Sequence, residues 1–358
     1  MPPLLKFALR RLLLLPVTLF IITAILYGIV MFASPEERAQ LYMNNSNAID
    51  RMTPQQLELM IKRIINTYGL NDPYPVQYFN WVKSVLSGEW GWSPIYRAQV
   101  RDLLASRMPI SIELTIWAMV MYVPLGIVSG ALAGWRHGRA SDRFFRAIAF
   151  VATSIPPFIL GLMMLSFFYV GLGGGGIGRL SNAIEPLVSV PSFQRYTGMF
   201  TIDGLLNGKP EVSLDALQHL IMPIVALGAL HWATIGRVTR TVMLEEADKQ
   251  YVIAAQARGI SIRSIFLKHT LRNALVPALT SGALSAASLL TGVFVIERVF
   301  NLKGMSELIT STSLAGLGDA PLALGFAVYS VVVVLVVMFV LDVLQAVVDP
   351  RLRERLIE

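Results

Sequence analysis

Four histidines, no cysteine and a thin scatter of carboxylates are the raw material for chemistry in this 358-residue chain. Without cysteine there is no disulfide framework and no thiolate metal site, and the redox compartment is unreadable. His219 and His231 lack metal-type spacing to other ligands and read as polar contacts along a helix. Glu113, Glu297 and Asp342 stand closest to long apolar segments, where ionisable groups are functional candidates by default. Each sits at a segment end, within reach of water or an arginine, so structural pairing is the favoured reading. Gly171 to Gly176 matches G-x-G-x-x-G formally, but no strand precedes it, and it reads as a turn. No G-x-x-x-x-G-K-[ST] occurs, so a P-loop is excluded. No paired carboxylates, triad or histidine cluster converges on one depth, which argues against an enzyme.

The elements that must position these residues follow from composition. Hydrophobic residues make up 54% of the chain and charged residues 15%, with a mean hydropathy of +0.59. Soluble domains carry about 25% charged residues. The excess of apolar side chains calls for a lipid solvent.

A helix needs about 20 apolar residues to cross the hydrocarbon core. Six such spans are predicted: Leu12 to Ala33, Leu114 to Gly134, Ala147 to Leu172, Leu217 to Arg237, Val276 to Ile296 and Leu322 to Leu341. The first is too long for the apolar stretch of a cleaved signal peptide and reads as an anchor. Pro16, Pro124, Pro156, Pro157 and Pro223 fall in or beside spans and predict kinks.

Six spans place both termini on one side. That side carries 17 of the 30 Lys and Arg residues but only 7 of the 23 acidic ones. By the positive-inside rule it is cytoplasmic. The net charge of +7 is then a topology signal, and nucleic acid falls away as a partner.

The expected organisation is a cytoplasmic N-terminus with the first span (1–33), an outer loop subdomain (34–112), a five-span core (113–347) and a cytoplasmic tail (348–358). In the outer subdomain, Thr53-Pro54-Gln55-Gln56 has the form of a capped helix start, and Leu57, Met60, Ile61, Ile64 and Ile65 keep helical spacing. Short helices over the outer mouth are expected there. A second outer loop, 173–216, is rich in glycine and turn residues.

The cytoplasmic segment 237–277 is too long for a turn. It predicts helix from Leu244 to Arg258, a break at Gly259, a cap at Ser261 and helix again from Ile262 to Leu275. Its small residues Ala254, Ala255, Ala257 and Gly259 suit either a partner's groove or close packing within the chain, and the pattern alone leaves both open.

The string Tyr251-Val252-Ile253-Ala254-Ala255-Gln256-Ala257-Arg258-Gly259-Ile260-Ser261, followed by His269-Thr270-Leu271-Arg272-Asn273-Ala274-Leu275-Val276-Pro277, resembles the coupling loop of ABC-importer permeases of the dipeptide/oligopeptide family. Ile253 stands where that family's loop carries Glu. Tyr68-Gly69-Leu70-Asn71, Arg107-Met108-Pro109, Ser154-Ile155-Pro156-Pro157-Phe158, Glu297-Arg298-Val299-Phe300 and Asp349-Pro350-Arg351 are similar to the family's first permease subunit in order and spacing. Gly88-Glu89-Trp90-Gly91 departs from it, with Glu-Trp in place of the more usual Asp-Phe.

The resemblance implies an all-α integral membrane protein, a type I importer bundle of six transmembrane helices in the inner membrane with both termini cytoplasmic. It implies a second, related permease as heterodimer partner, two cytoplasmic ATPases that bind ATP and Mg, and an extracytoplasmic substrate-binding protein delivering peptide. No cofactor is expected in this chain. Tyr251, Ala254, Ala255, Gly259 and Ser261, supported by Arg258 and Arg272, are the expected coupling residues. Ser281, Ser285 and Ser288 share one face of the fifth span, with Thr291 close by. They read as a wall of the translocation path or as small-residue packing, which the second permease could supply. Nickel chelates, oligosaccharides or antimicrobial peptides are alternative cargoes. An ion-driven secondary transporter, the rival of another class, should show midplane charges and internal symmetry, and neither is evident.

Overall fold

In the computed structural model, residues 3–43, 52–93, 95–172, 176–308 and 319–348 are described. The long elements in chain order are α1 (Pro3–Val30), α2 (Pro54–Tyr68), α3 (Tyr74–Leu86), α4 (Val100–Trp135), α5 (Ala140–Ser154), α6 (Pro157–Met164), α7 (Pro210–Ala247), α8 (Gln250–Ala257), α9 (Leu271–Val299) and α10 (Ala320–Val348). A two-residue hairpin, Trp92–Ser93 paired antiparallel with Ala98–Gln99, is the sheet content of the described residues.

The spans are helices longer than their apolar stretches. Among the described residues, α1, α4, α7 and α10 are each long and apolar enough to cross a membrane, and α5 with Pro157–Gly171 is so only as a pair, in the form of a broken span or a re-entrant loop. The fifth expected span, Val276 to Ile296, lies inside the 29-residue α9, which at 1.5 Å per residue is long enough to cross. The chain is a multi-pass, all-α membrane protein. The third span is not the single rod from Ala147 to Leu172 that its apolar run predicts. Its halves bend by 102°. Ile155 is driven to extended backbone (φ −102°, ψ 121°) ahead of Pro156-Pro157, as the residue before a proline must be.

Two compact units divide the chain: Met1–Leu12 with Ser111–Leu302 and Val334–Glu358, and Leu13–Ile110 with Lys303–Val333. The second is built on aromatic packing. Tyr27, Tyr78, Trp81 and Trp92 are buried with Leu41 and Leu70, and Ala320, Leu324 and Val328 of α10 complete the cluster. Thr53 caps α2 as its sequence predicts. Its hydroxyl accepts from the Gln56 amide, and the Gln56 side chain accepts from the Thr53 amide at 2.9 Å. Asp319 caps α10 by accepting from the Leu322 amide (3.1 Å) and from the Ser93 hydroxyl. Burial pushes its carboxyl above the usual range, against the pull of those hydrogen bonds.

The first unit turns on a glycine seam. Gly126, Gly130 and Gly134 recur every four residues on α4, so they share one face of the helix. A Cβ on Gly130 would lie 2.2 Å from the Gly236 carbonyl oxygen, one on Gly126 3.0 Å from the Trp232 oxygen, and one on Gly134 2.8 Å from the Arg240 oxygen. Lipid tails are as apolar as leucine, so helices associate in membranes through such close backbone approach. Phe145 and Ala149 of α5 then pack with Ala133 and Ala233. A branched side chain at the seam must separate α4 from α7. Gly130→Val is therefore expected to abolish a monodisperse peak in fluorescence-detected size exclusion. Gly282→Ala, whose nearest contact would be an ordinary 3.4 Å, should leave the peak intact.

Candidate functional site

Past Ala247 the segment between α7 and α9 leaves α7 through Asp248 and Lys249, turns into α8, and breaks at Gly259. The predicted helix from Leu244 to Arg258 is thus two helices. Its first turn belongs to α7, and the break falls where Lys249 turns back to pair with Glu246. Gly259 adopts φ 74°, a left-handed conformation that costs an L-residue roughly 1–2 kcal/mol. A side chain there would meet nothing within 4 Å, so the backbone alone demands glycine. Ser261 caps the next turn by accepting from the Ser264 amide, as its sequence predicts. A π-helical stretch, Ile265–Thr270, then leads into α9.

Glu246, 6% exposed, is the hub of this segment. It accepts from the Tyr251 hydroxyl, from Lys249 Nζ and from Asn273 Nδ2 (2.8 Å), and Asn273 also donates to the Tyr251 oxygen at 3.1 Å. One carboxylate thereby ties the end of α7 to the start of α8 and to α9. Burial and the donated hydrogen bond to Glu246 push the Tyr251 phenol up to about 12. A second clamp lies one turn and a half back along α7. Asp142, fully buried at the start of α5, takes Arg240 Nε at 2.6 Å and Nη2 at 3.1 Å, with the Gly138 amide at 3.0 Å.

Beneath α8, Val252, Ala255 and Ile265 are buried against Trp135, whose ring stands edge-on to Phe266 at 5.1 Å. Ala255 therefore faces the protein's interior. Tyr251, Ala254, Arg258, Gly259, Ser261 and Arg272 are exposed. Ile253 is 58% exposed, and Ile262 is 66% exposed. The outward surface combines apolar and basic side chains around a glycine turn.

The serines of α9 are less uniform. Ser285 is buried, Ser281 half-buried and Ser288 exposed, with the Ser288 hydroxyl donating to the Ser285 carbonyl at 2.9 Å. The side chain of Thr291 lies outside the described residues. The three carboxylates singled out beside the apolar runs, Glu113, Glu297 and Asp342, are each engaged. Glu113 takes Arg179 Nη2, the Thr201 amide and the Thr201 hydroxyl, each at 2.8 Å. Arg179 in turn lies 4.1 Å over the Phe200 ring. Glu297 accepts from the Ser111 hydroxyl, and Asp342 pairs with Arg11 Nε at 3.3 Å. His231 sits beside the Tyr122 ring, centroids 5.4 Å apart.

Sequence reasoning left the hubs at Glu246 and Asp142 unnamed, since each looks like one charge among many in a loop. The spacing of Glu246 five residues before Tyr251 was a usable signal. Removing a buried acceptor of three donors costs on the order of 2–3 kcal/mol. Glu246→Ala should therefore raise amide hydrogen exchange across 248–264 by at least tenfold, and Glu246→Gln by less.

Two family models match this chain: the binding-protein-dependent transport system inner membrane component over residues 123–354, and the N-terminal part of the corresponding membrane component over residues 4–115. It is 31% identical over 350 residues to a dipeptide transport system permease protein of Alkalihalophilus pseudofirmus, covering 98% of this chain and 99% of that one. To a di/tripeptide transport system permease protein of Pseudomonas aeruginosa it is 31% identical over 355 residues, again 98% and 99% of the two chains. A glutathione transport system permease protein of Escherichia coli is 28% identical over 349 residues, with the same coverage.

Proposed function

The chain belongs to the inner membrane components of binding-protein-dependent transport systems, and from that membership we propose that it is the permease subunit of an ATP-driven importer of di- and oligopeptides. Full-length similarity to dipeptide and di/tripeptide permeases supports the cargo class. The observation that carries the mechanism is the cytoplasmic segment, an exposed short helix and glycine turn anchored through Glu246 to α7 and α9.

In this reading two cytoplasmic ATPases bind ATP and Mg, and close on nucleotide. The exposed residues Tyr251, Ala254, Arg258, Gly259, Ser261 and Arg272 meet them, with Ile253 making an apolar contact. Ala255 acts from beneath, as packing that holds α8 on Trp135. A second permease completes the path, with the serine face of α9 as part of its wall, and an outer binding protein delivers the peptide. Both termini lie in the cytoplasm, on the side that carries the basic excess. The ligand and nucleotide states shift the inward and outward forms only by binding one better than the other.

Co-purification checks the assembly: tagged permease should bring down a P-loop ATPase and a second permease, and a stable, transport-active lone chain would refute it. For coupling, Gly259→Val adds no clash but strains the turn. It should abolish peptide-stimulated ATP hydrolysis in the reconstituted importer. Gly208→Val is the control, since Gly208 has a similar φ of 67° and equally open surroundings in the other loop. Stimulation surviving in both variants would overturn the assigned contact.

A further inference from the structure

A cavity of about 580 Å³ opens in the first unit beside the N-terminal end of α7, within the size range of small-molecule sites. Met164, Phe168 and Met222 form its apolar wall, and Asp215, Gln218 and His219 its polar rim. The rim is ordered. Asp215 Oδ2 accepts the Ser181 amide at 2.8 Å. The His219 Nδ1 hydrogen goes to the Asp215 carbonyl oxygen, 2.9 Å away, and that nitrogen stays 3.6 Å from the carboxylate. The imidazole lies flush on Gly176, where a Cβ would come within 1.9 Å of Nε2.

Asp215 is 14% exposed at its side chain, and among the described residues no lysine or arginine pairs with it. Its second oxygen, Oδ1, takes no hydrogen bond from them. A carboxylate with an open oxygen, set at the mouth of an apolar-walled hole, suits a ligand with an ammonium next to a side chain. A lipid tail would leave the carboxylate unused, and a metal ion would find only one carboxylate. An α-ammonium gains a charge-assisted hydrogen bond at a site largely screened from water.

We propose that this cavity receives the amino-terminal residue of an arriving peptide, its α-ammonium on Asp215 and its first side chain against Met164, Phe168 and Met222. The assignment rests on the peptide-importer reading above. It makes this chain a contributor to cargo recognition, with positive charge and apolar bulk selected at the first residue.

The test uses the complete importer with its binding protein in lipid nanodiscs, and tripeptides of alanine carrying photo-leucine at position 1 or position 3. Irradiation of the position-1 probe should label Met164 to Leu172 or Ile221–Met222, and the position-3 probe should label them at least tenfold less. Asp215→Asn keeps an acceptor for the Ser181 amide but loses the charge, and should cut position-1 labelling at least tenfold. Met164→Trp fills the hole with Asp215 intact and should do the same. Equal labelling by both probes, labelling confined to other segments, or position-1 labelling unaffected by Asp215→Asn would overturn the pocket while importer function stands. Absence of any tripeptide uptake by the wild-type importer would instead overturn the peptide reading itself.

Discussion

Two helix backbones meet where Gly130 of α4 lies against the carbonyl of Gly236 in α7, with Gly126 and Gly134 making the same approach one turn away on either side. Lipid supplies little hydrophobic drive between helices, so this approach must be bought with van der Waals contact, which only small residues allow. The seam also sets register. With α4 and α7 this close, Phe145 reaches over Gly236, and Ala131 meets Met243 and Ala274. One turn further, Trp135 arrives under α8. A shift of one residue along α4 would move Trp135 about 100° around its helix axis and leave Val252 and Ala255 without a floor.

Where the seam ends, polar chemistry takes over. Arg240 and Glu246, six residues apart on α7, reach Asp142 on α5 and Tyr251, Lys249 and Asn273 beyond the bundle. Buried charges of this kind are stabilising only when every lone pair finds a donor, and a half-satisfied network is worse than none. That makes the arrangement nearly all-or-none. Displacing α8 as a body keeps the network and drags α7 and α9 with it, whereas displacing α8 alone strands a buried carboxylate. The segment therefore behaves as a stiff handle on two long helices, with compliance confined to the Gly259 turn and the π-helical stretch.

Length and hydropathy made the spans legible, because a 20-residue apolar run has few other fates in a helical chain. Helix ends were not legible by the same rule. α7 runs on to Ala247 because its last turns are packed and tied, Met243 against Ala131 and Ala274 and Glu246 to Tyr251 and Asn273. The turn chemistry of Thr53, Gly259 and Ser261 was readable, since each acts through its own local backbone. The 102° bend was readable in place but not in size, because Pro156-Pro157 fixes where the helix stops and tertiary packing fixes where it goes. Long-range partners were the illegible part. Nothing local joins Glu113 to Arg179 or Asp142 to Arg240, 98 positions apart. The small residues of α8 point the same way: Ala254 and Ala255 look alike in sequence, yet one is exposed and the other packed inside.

The distribution of charge bears on what drives transport. A carrier powered by an ion gradient needs a group that gains and loses a charge partway across the membrane. Of the described carboxylates nearest the apolar runs, Glu113 is held by Arg179, Glu297 by Ser111 and Asp342 by Arg11, while Asp215, with one open oxygen, stands ahead of the apolar run of α7. Recruiting Glu113 or Glu297 for a proton or sodium cycle would first break a buried contact worth about 1.5–3 kcal/mol. Of the two histidines on α7, His231 is packed against an aromatic ring, and His219, near the start of the apolar run, is held by the backbone of its own helix. Work must then enter from outside the bilayer. One exposed handle is α8, whose displacement α7 and α9 cannot ignore while Glu246 stays buried. A machine whose apolar spans hold few charges and whose α8 edge is tied to two long helices is built to be pushed from that edge.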